Sequence, residues 1–346
     1  MNSVEGIGSA GATVRTRFWG SGVLDAIVLV YFLSQLGNVL LTKLATSTVH
    51  RDAAGLAILP YTLLIYAALT YLFIWLSGWH RDAHATRIAG LRVPMPTRYT
   101  ALSSVGSALM LSAVPMSYGL PDISIPFIML LMRGGILVLA PIVDLYFGRR
   151  IRWWSYVGLA MVALALTLVM YQRGGLHLSP LATTTVLFYN LGYVLRVTVM
   201  THVAKRGDPA QSRQYFVEER MLALPLSILA LAALTMAGIG APAEGFAGII
   251  GVEWSAALFW NVFGVGLSLA LVSIFAALIL LGAQENSFCV PLERSGGLLA
   301  GFAAAWLLHW AWDMPAPTGT EMLGATILIA AIALLSVASH RDRGAN

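Results

Sequence analysis

Residues 123–147 read ISIPFIMLLMRGGILVLAPIVDLYF. A run of this kind is long enough to cross a bilayer as an α-helix, which takes about 20 apolar residues. It shows none of the period-2 alternation of a barrel strand. Its one cation, Arg133, stands about ten residues in, roughly 15 Å along a helix and close to the bilayer midplane. Working outward, apolar segments of similar length recur near 23–45, 56–78, 100–119, 153–172, 181–203, 217–239, 256–282, 286–310 and 321–339. With the first segment they make ten, and the expected fold is an all-α integral membrane protein. Composition agrees: of 346 residues 58% are hydrophobic and 11% charged, too little polar surface to cover a soluble globule of this size.

The 21 Lys and Arg set the orientation. Arg15, Arg17, Arg81, Arg87, Arg92, Arg98, Arg149, Arg150, Arg152, Lys205, Arg206, Arg213, Arg220, Arg341 and Arg343 fall on one face, and only Arg51 and Arg173 on the other. Under the positive-inside rule both termini are cytoplasmic, as an even number of spans requires. Residues 1–20 are too polar for a signal-peptide core and are expected to form a disordered cytoplasmic tail. Basic cytoplasmic loops account for the net charge of +5 without nucleic acid as a partner. The single cysteine, Cys289, cannot form an internal disulfide.

Two matches divide the chain. Leu59-Pro60-Tyr61-Thr62-Leu63-Leu64-Ile65-Tyr66-Ala67-Ala68-Leu69-Thr70 reads against Leu224-Pro225-Leu226-Ser227-Ile228-Leu229-Ala230-Leu231-Ala232-Ala233-Leu234-Thr235, and Arg133-Gly134-Gly135 against Arg294-Ser295-Gly296-Gly297. The matches come in the same order and at nearly the same offset. They predict one five-helix repeat over 21–175 and a second over 176–346. An odd number of spans per repeat inverts the second in the membrane, as in alternating-access carriers.

Four cations lie inside predicted spans: Lys43, Arg133, Arg196 and Arg294. Each costs roughly 2.5–3.5 kcal/mol at mid-helix on the insertion scale, so such residues normally face a cavity or a partner. Glycine pairs beside Arg133 and Arg294 leave room for close approach. Arg196 shares a helical face with Tyr193 and Tyr189. Glu293, Asp144, Asp25 and the Glu218/Glu219 pair are available counter-charges, and Lys43 and Arg196 stand near enough to span ends to snorkel. The forked guanidinium suits a phosphate or carboxylate ligand.

Short motifs now carry a family resemblance. Asn38-Val39-Leu40-Leu41-Thr42-Lys43, Asn190 with Arg196, and Leu292-Glu293-Arg294 resemble patterns in the first, sixth and ninth spans of the drug/metabolite transporter superfamily, in its nucleotide-sugar transporter and triose-phosphate translocator branch. In the ninth-span motif the family's phosphate-contacting lysine falls on Glu293, an acidic departure. The resemblance implies exchange of an anionic, phosphorylated metabolite (a nucleotide sugar, sugar phosphate or lipid-linked phosphate) by rocking of two inverted halves about one central site. The substrate-binding set expected is Arg133, Arg294, Arg196, Tyr193, Tyr189, Lys43, Asn38 and Glu293.

No phosphate loop, HExxH or CxxC motif is present, so no catalytic residue, metal or cofactor is expected, and the chain is not read as an enzyme. His80 and His84 have i, i+4 spacing, but no third ligand is evident beyond Asp82, and the 79–99 segment reads as a solvated loop. Two other functions stay open: an exporter of amino acids or amphipathic compounds, with the arginines locked by carboxylates, and a membrane-embedded lipid-phosphate transferase. The expected partners are a small anion and membrane lipids, with room for a homodimer, in a bacterial inner (plasma) membrane.

Overall fold

The computed structural model describes residues 21–45, 59–88, 91–119, 125–146, 153–172, 179–203, 209–236, 255–281 and 286–343. The tail 1–20 and Arg51, Arg149, Arg150, Arg152, Arg173, Lys205 and Arg206 lie outside them, as does the predicted boundary between repeats. Ten α-helices are described: α1 (Ser21–Leu44), α2 (Leu59–Leu76), α3 (Arg98–Gly119), α4 (Ile125–Tyr146), α5 (Trp153–Gln172), α6 (Pro180–Val203), α7 (Pro209–Met236), α8 (Ala256–Leu281), α9 (Asn286–Trp312) and α10 (Gly319–Arg343). Each falls on one of the ten apolar segments. Among the described residues the fold is all-α apart from one small hairpin.

Local chemistry sets the helix starts. Pro60, Pro126, Pro180 and Pro209 stand at the first or second residue of their helices, where a missing N–H leaves no bond unmade. Thr97, Ser179 and Ser255 cap α3, α6 and α8 by accepting the amides of Thr100, Ala182 and Leu258 at 3.1–3.3 Å. Thr318 and Glu321 form a reciprocal capping box at α10, with the Thr318 amide 3.0 Å from Glu321 Oε2 and the Glu321 amide 3.2 Å from Thr318 Oγ1. Helix α7 starts eight residues before the apolar segment that announces it, and Pro225 falls inside the helix, while its repeat partner Pro60 falls at a helix start.

The 79–99 segment is more ordered than the solvated loop expected. A 3-10 turn (Trp79–Arg81) leads into an antiparallel hairpin, β1 (Ala85–Ile88) with β2 (Leu91–Pro94), in the register Ala85 to Pro94 and Ile88 to Leu91. Trp79 packs edge-on against Phe73 and Phe216. Glu218, fully buried on α7, holds the rest. Its carboxylate accepts the His84 amide (3.2 Å), His84 Nδ1 (2.8 Å), the Thr97 amide (3.3 Å), Thr100 Oγ1 (2.9 Å) and Gln214 Nε2 (2.8 Å).

The larger helix contacts follow a rule of five. α3 packs along α6 and α1 along α8; α3 meets α7 and α8 meets α2; α4 meets α6 and α9 meets α1; α4 meets α5 and α9 meets α10. Advancing the first member of each couple by five places gives the second, and α5–α10, α4–α9 and α2–α7 map onto themselves. Most of these contacts join a helix before residue 175 to one after it, so the two halves of the chain interleave. At the α3–α6 crossing a Cβ on Gly106 would lie 2.6 Å from the Gly192 carbonyl, and one on Gly192 would run into the Gly106 carbonyl. Backbone therefore touches backbone there.

Large apolar side chains stand at the surface, and several charged ones lie inside an otherwise apolar core. Leu33, Leu72, Leu164, Leu187, Leu229 and Trp260 are exposed, whereas Arg133, Arg196, Arg220, Arg294, Glu219 and Glu293 are buried. Among the described residues, the α1 segment Val23–Leu44 and the α8 segment Ala256–Leu280 are long and apolar enough to cross a membrane.

Candidate functional site

A cavity of about 100 Å³ lies among α1, α3, α4, α6, α7, α8 and α9. Arg133 reaches it from the middle of α4 and Arg294 from α9, with Arg133 Nη1 donating to the Arg294 carbonyl at 3.2 Å. Glu293 joins them. Its Oε1 accepts Tyr31 Oη from α1 at 2.7 Å and lies 3.9 Å from Arg133 Nη1, and its Oε2 lies 3.0 Å from Arg294 Nε. Arg294 also donates to Tyr189 Oη at 2.5 Å, and its guanidinium carbon sits 3.7 Å from the centre of the Tyr193 ring. That ring face offers a buried cation a partner that takes none of its N–H groups out of use.

A second group stands further along α6. Arg196 Nε donates to Glu219 Oε1 of α7 at 2.7 Å, and Ser107 of α3 donates to the same oxygen. Tyr215 donates to the Arg196 carbonyl at 3.4 Å and meets Ser103 Oγ at 2.5 Å. Beside this pair lies Arg220, 3% exposed, lining the cavity, with its guanidinium 5.6 Å from the Phe216 ring. Its Nε has no hydrogen-bond partner, and among the described residues no carboxylate lies within ion-pair distance of it.

Of the residues expected at the site, Arg133, Arg294, Arg196, Tyr189, Asn38 and Glu293 line the cavity. Tyr193 lies behind it as the ring under Arg294. Asn38 ties α1 to α8, its amide group donating to Ser268 Oγ (3.3 Å) and the Val265 carbonyl (3.4 Å). Lys43, in the last turn of α1 and half-buried, is not part of the cavity wall. The expected grouping of Arg196 with Tyr193 and Tyr189 is corrected: both tyrosines serve Arg294, which arrives from another helix, and Arg196 turns to Glu219.

Sequence reasoning missed Arg220 by assigning it to a cytoplasmic loop, although it stands inside the 217–239 apolar segment. That position was the available signal. Gln35 and Ser273 also line the cavity, with no comparable mark in the sequence.

Four guanidinium groups thus meet two carboxylates at one cavity. Glu293 serves both Arg133 and Arg294, Glu219 serves Arg196, and Arg220 has no carboxylate partner among the described residues, so each group carries one uncompensated positive charge. Buried charge of one sign is costly unless something neutralises it, so the arrangement suits an anion. The forked donors fit phosphate and carboxylate alike.

No family model matches the chain, and no curated protein matches it. A solved crystal structure is similar in fold, with a TM-score of 0.53 and 17% identity over 92% of this chain and 99% of that one. At that identity the likeness speaks for the fold alone.

Proposed function

We propose that the chain is an integral membrane protein whose ten helices form two inverted five-helix repeats, and that it carries an organic anion across the membrane by alternating access, as a secondary transporter of the drug/metabolite transporter type. The observation that carries the reading is the excess of two positive charges at a cavity bordered by helices from both halves of the chain. Buried cations of this kind mark substrate and ion pathways in membrane proteins.

Three further features support it. The exposed apolar side chains suit lipid, and Arg133, Arg196, Arg220, Arg294, Glu219 and Glu293 are buried. Helix contacts that recur on advancing five places are what two repeats related by a pseudo-two-fold axis produce. The cavity at their interface is where such carriers bind substrate. On this reading both termini are cytoplasmic and a bacterial inner membrane fits the short loops. The volume favours a compact substrate: about 100 Å³ is small beside the roughly 300–1,000 Å³ of sites for drug-sized ligands. A sugar phosphate or a slender organic acid therefore fits with less widening than a nucleotide sugar.

The exporter reading has one observation in its favour, because Arg196–Glu219 and Arg294–Glu293 are already close ion pairs. It leaves Arg220 without a role. A lipid-phosphate transferase would need a carboxylate ready to act as base, and both carboxylates here are engaged by arginine.

The test is thermal unfolding of the purified protein with nucleotides, nucleotide sugars, sugar phosphates, lipid phosphates and neutral amino acids, run beside Arg133→Ala. Stabilisation by an anion that disappears in the variant is expected. Stabilisation only by neutral amino acids, indifferent to Arg133, would replace the anion carrier with the exporter.

A further inference from the structure

The two arginine groups are separate. Tyr189, which binds Arg294, and Arg196 stand seven residues apart on α6, a rise of about 10 Å along the helix axis. Each group is one carboxylate short: Arg133 and Arg294 share Glu293, and Arg196 and Arg220 stand beside Glu219. A compact dianion docked at either group would leave the other uncompensated. Arg220 gives the strongest indication, a cation 97% buried at the cavity wall with an unpartnered Nε. Much of the remaining wall is apolar, including Met110, Leu111, Val114, Met129 and Met132.

We propose that the ligand is a slender organic anion with two separated acidic groups, one held by Arg133 and Arg294 and the other by Arg196 and Arg220, and that Arg220 is the residue that selects for the second group. The inference rests on the reading of the cavity as an anion site. It adds that the two excess charges are met at two places, by acidic groups roughly 5–10 Å apart, a span set by the rise between the groups less the reach of the side chains. Selection then works through Arg220: an anion with one acidic group leaves its guanidinium buried and unmatched, which disfavours that anion.

Thermal unfolding of the full-length protein in detergent tests this with the α,ω-dicarboxylates from succinate to suberate, beside butyrate, hexanoate and inorganic phosphate. Wild type, Arg220→Gln, Arg220→Lys and Arg133→Ala are compared. In the wild type one dicarboxylate length is expected to bind at least tenfold more tightly than any of the other three anions. Arg220→Gln should reduce that dicarboxylate to the level of a monocarboxylate, and Arg220→Lys should recover part of the difference.

Equal binding of mono- and dicarboxylates in the wild type, or equal losses for both in Arg220→Gln, overturns the proposal. If those anions still depend on Arg133, the carrier reading survives without it. If no anion stabilises the wild type and Arg133→Ala changes nothing, both fall together. Should Arg220→Gln fail to fold, the length series in the wild type decides alone.

Discussion

Replacing Glu293 by Gln would leave Arg133 and Arg294 without the carboxylate they share, while Tyr31 would keep a weaker, neutral acceptor. Breaking a buried ion pair from one side costs about 3–5 kcal/mol, so Glu293→Gln is expected to lower the unfolding midpoint clearly in anion-free buffer. An added anion can occupy the vacated place, so millimolar phosphate should raise the midpoint of the variant more than that of the wild type. A variant as stable as the wild type and blind to phosphate would rule this out. Gly297→Ala acts on the same group differently, because a Cβ there would lie 2.6 Å from Cζ of Arg133 and must displace the guanidinium. It should weaken anion stabilisation at least tenfold while helix content, followed by circular dichroism, stays unchanged. At this scale the sequence showed which arginines were costly and that glycines stood beside them. It did not show that Gly297 of one half makes room for Arg133 of the other, because partners from different helices leave no spacing to read.

Among the elements, the hairpin makes the clearest case for ranking interactions by burial. Glu218 is buried and accepts five hydrogen bonds from the hairpin flanks, the start of α3 and Gln214 of its own helix; Asp82–Arg213, at 2.5 Å, is partly exposed at both ends. Leaving a buried donor without its acceptor costs about 1–3 kcal/mol each, whereas an exposed pair contributes about 0–1 kcal/mol. Glu218→Ala should therefore raise amide hydrogen exchange over 85–94 at least tenfold, and Arg213→Ala should change it less than threefold. Similar exchange in the two variants would show that aromatic packing around Trp79, and not Glu218, holds the hairpin. The ten helices were legible because each falls on an apolar segment of the sequence. The hairpin was not, since four-residue strands around Arg87 and Arg92 carry too little apolar pattern and are held from α7, more than a hundred residues away.

For the whole molecule, the proposed orientation puts residues 79–99 on the cytoplasmic face. A cysteine at Arg87, in a background with Cys289 replaced, should react with a membrane-impermeant maleimide in inside-out vesicles and not in right-side-out ones. The opposite result would invert the topology. Gly106→Leu should abolish folded yield, because the α3–α6 crossing has no space for a side chain. Order and number of helices could be read from hydropathy and charge, and two sequence matches pointed to a repeat. Which helices touch could not, because the exposed and buried sides of Leu- and Ala-rich helices differ little in composition.

The interleaving of the two halves bears on how the polypeptide comes together during synthesis. When the ribosome has released only residues 1–175, α1 and α3 still lack α8 and α6, the helices they pack along, and the buried Arg133 of α4 still lacks Glu293 of α9. Expressed alone, either fragment should be rapidly degraded. Produced together from two genes, the fragments should rescue each other and restore anion-stabilised protein, like the two chains of an obligate heterodimer.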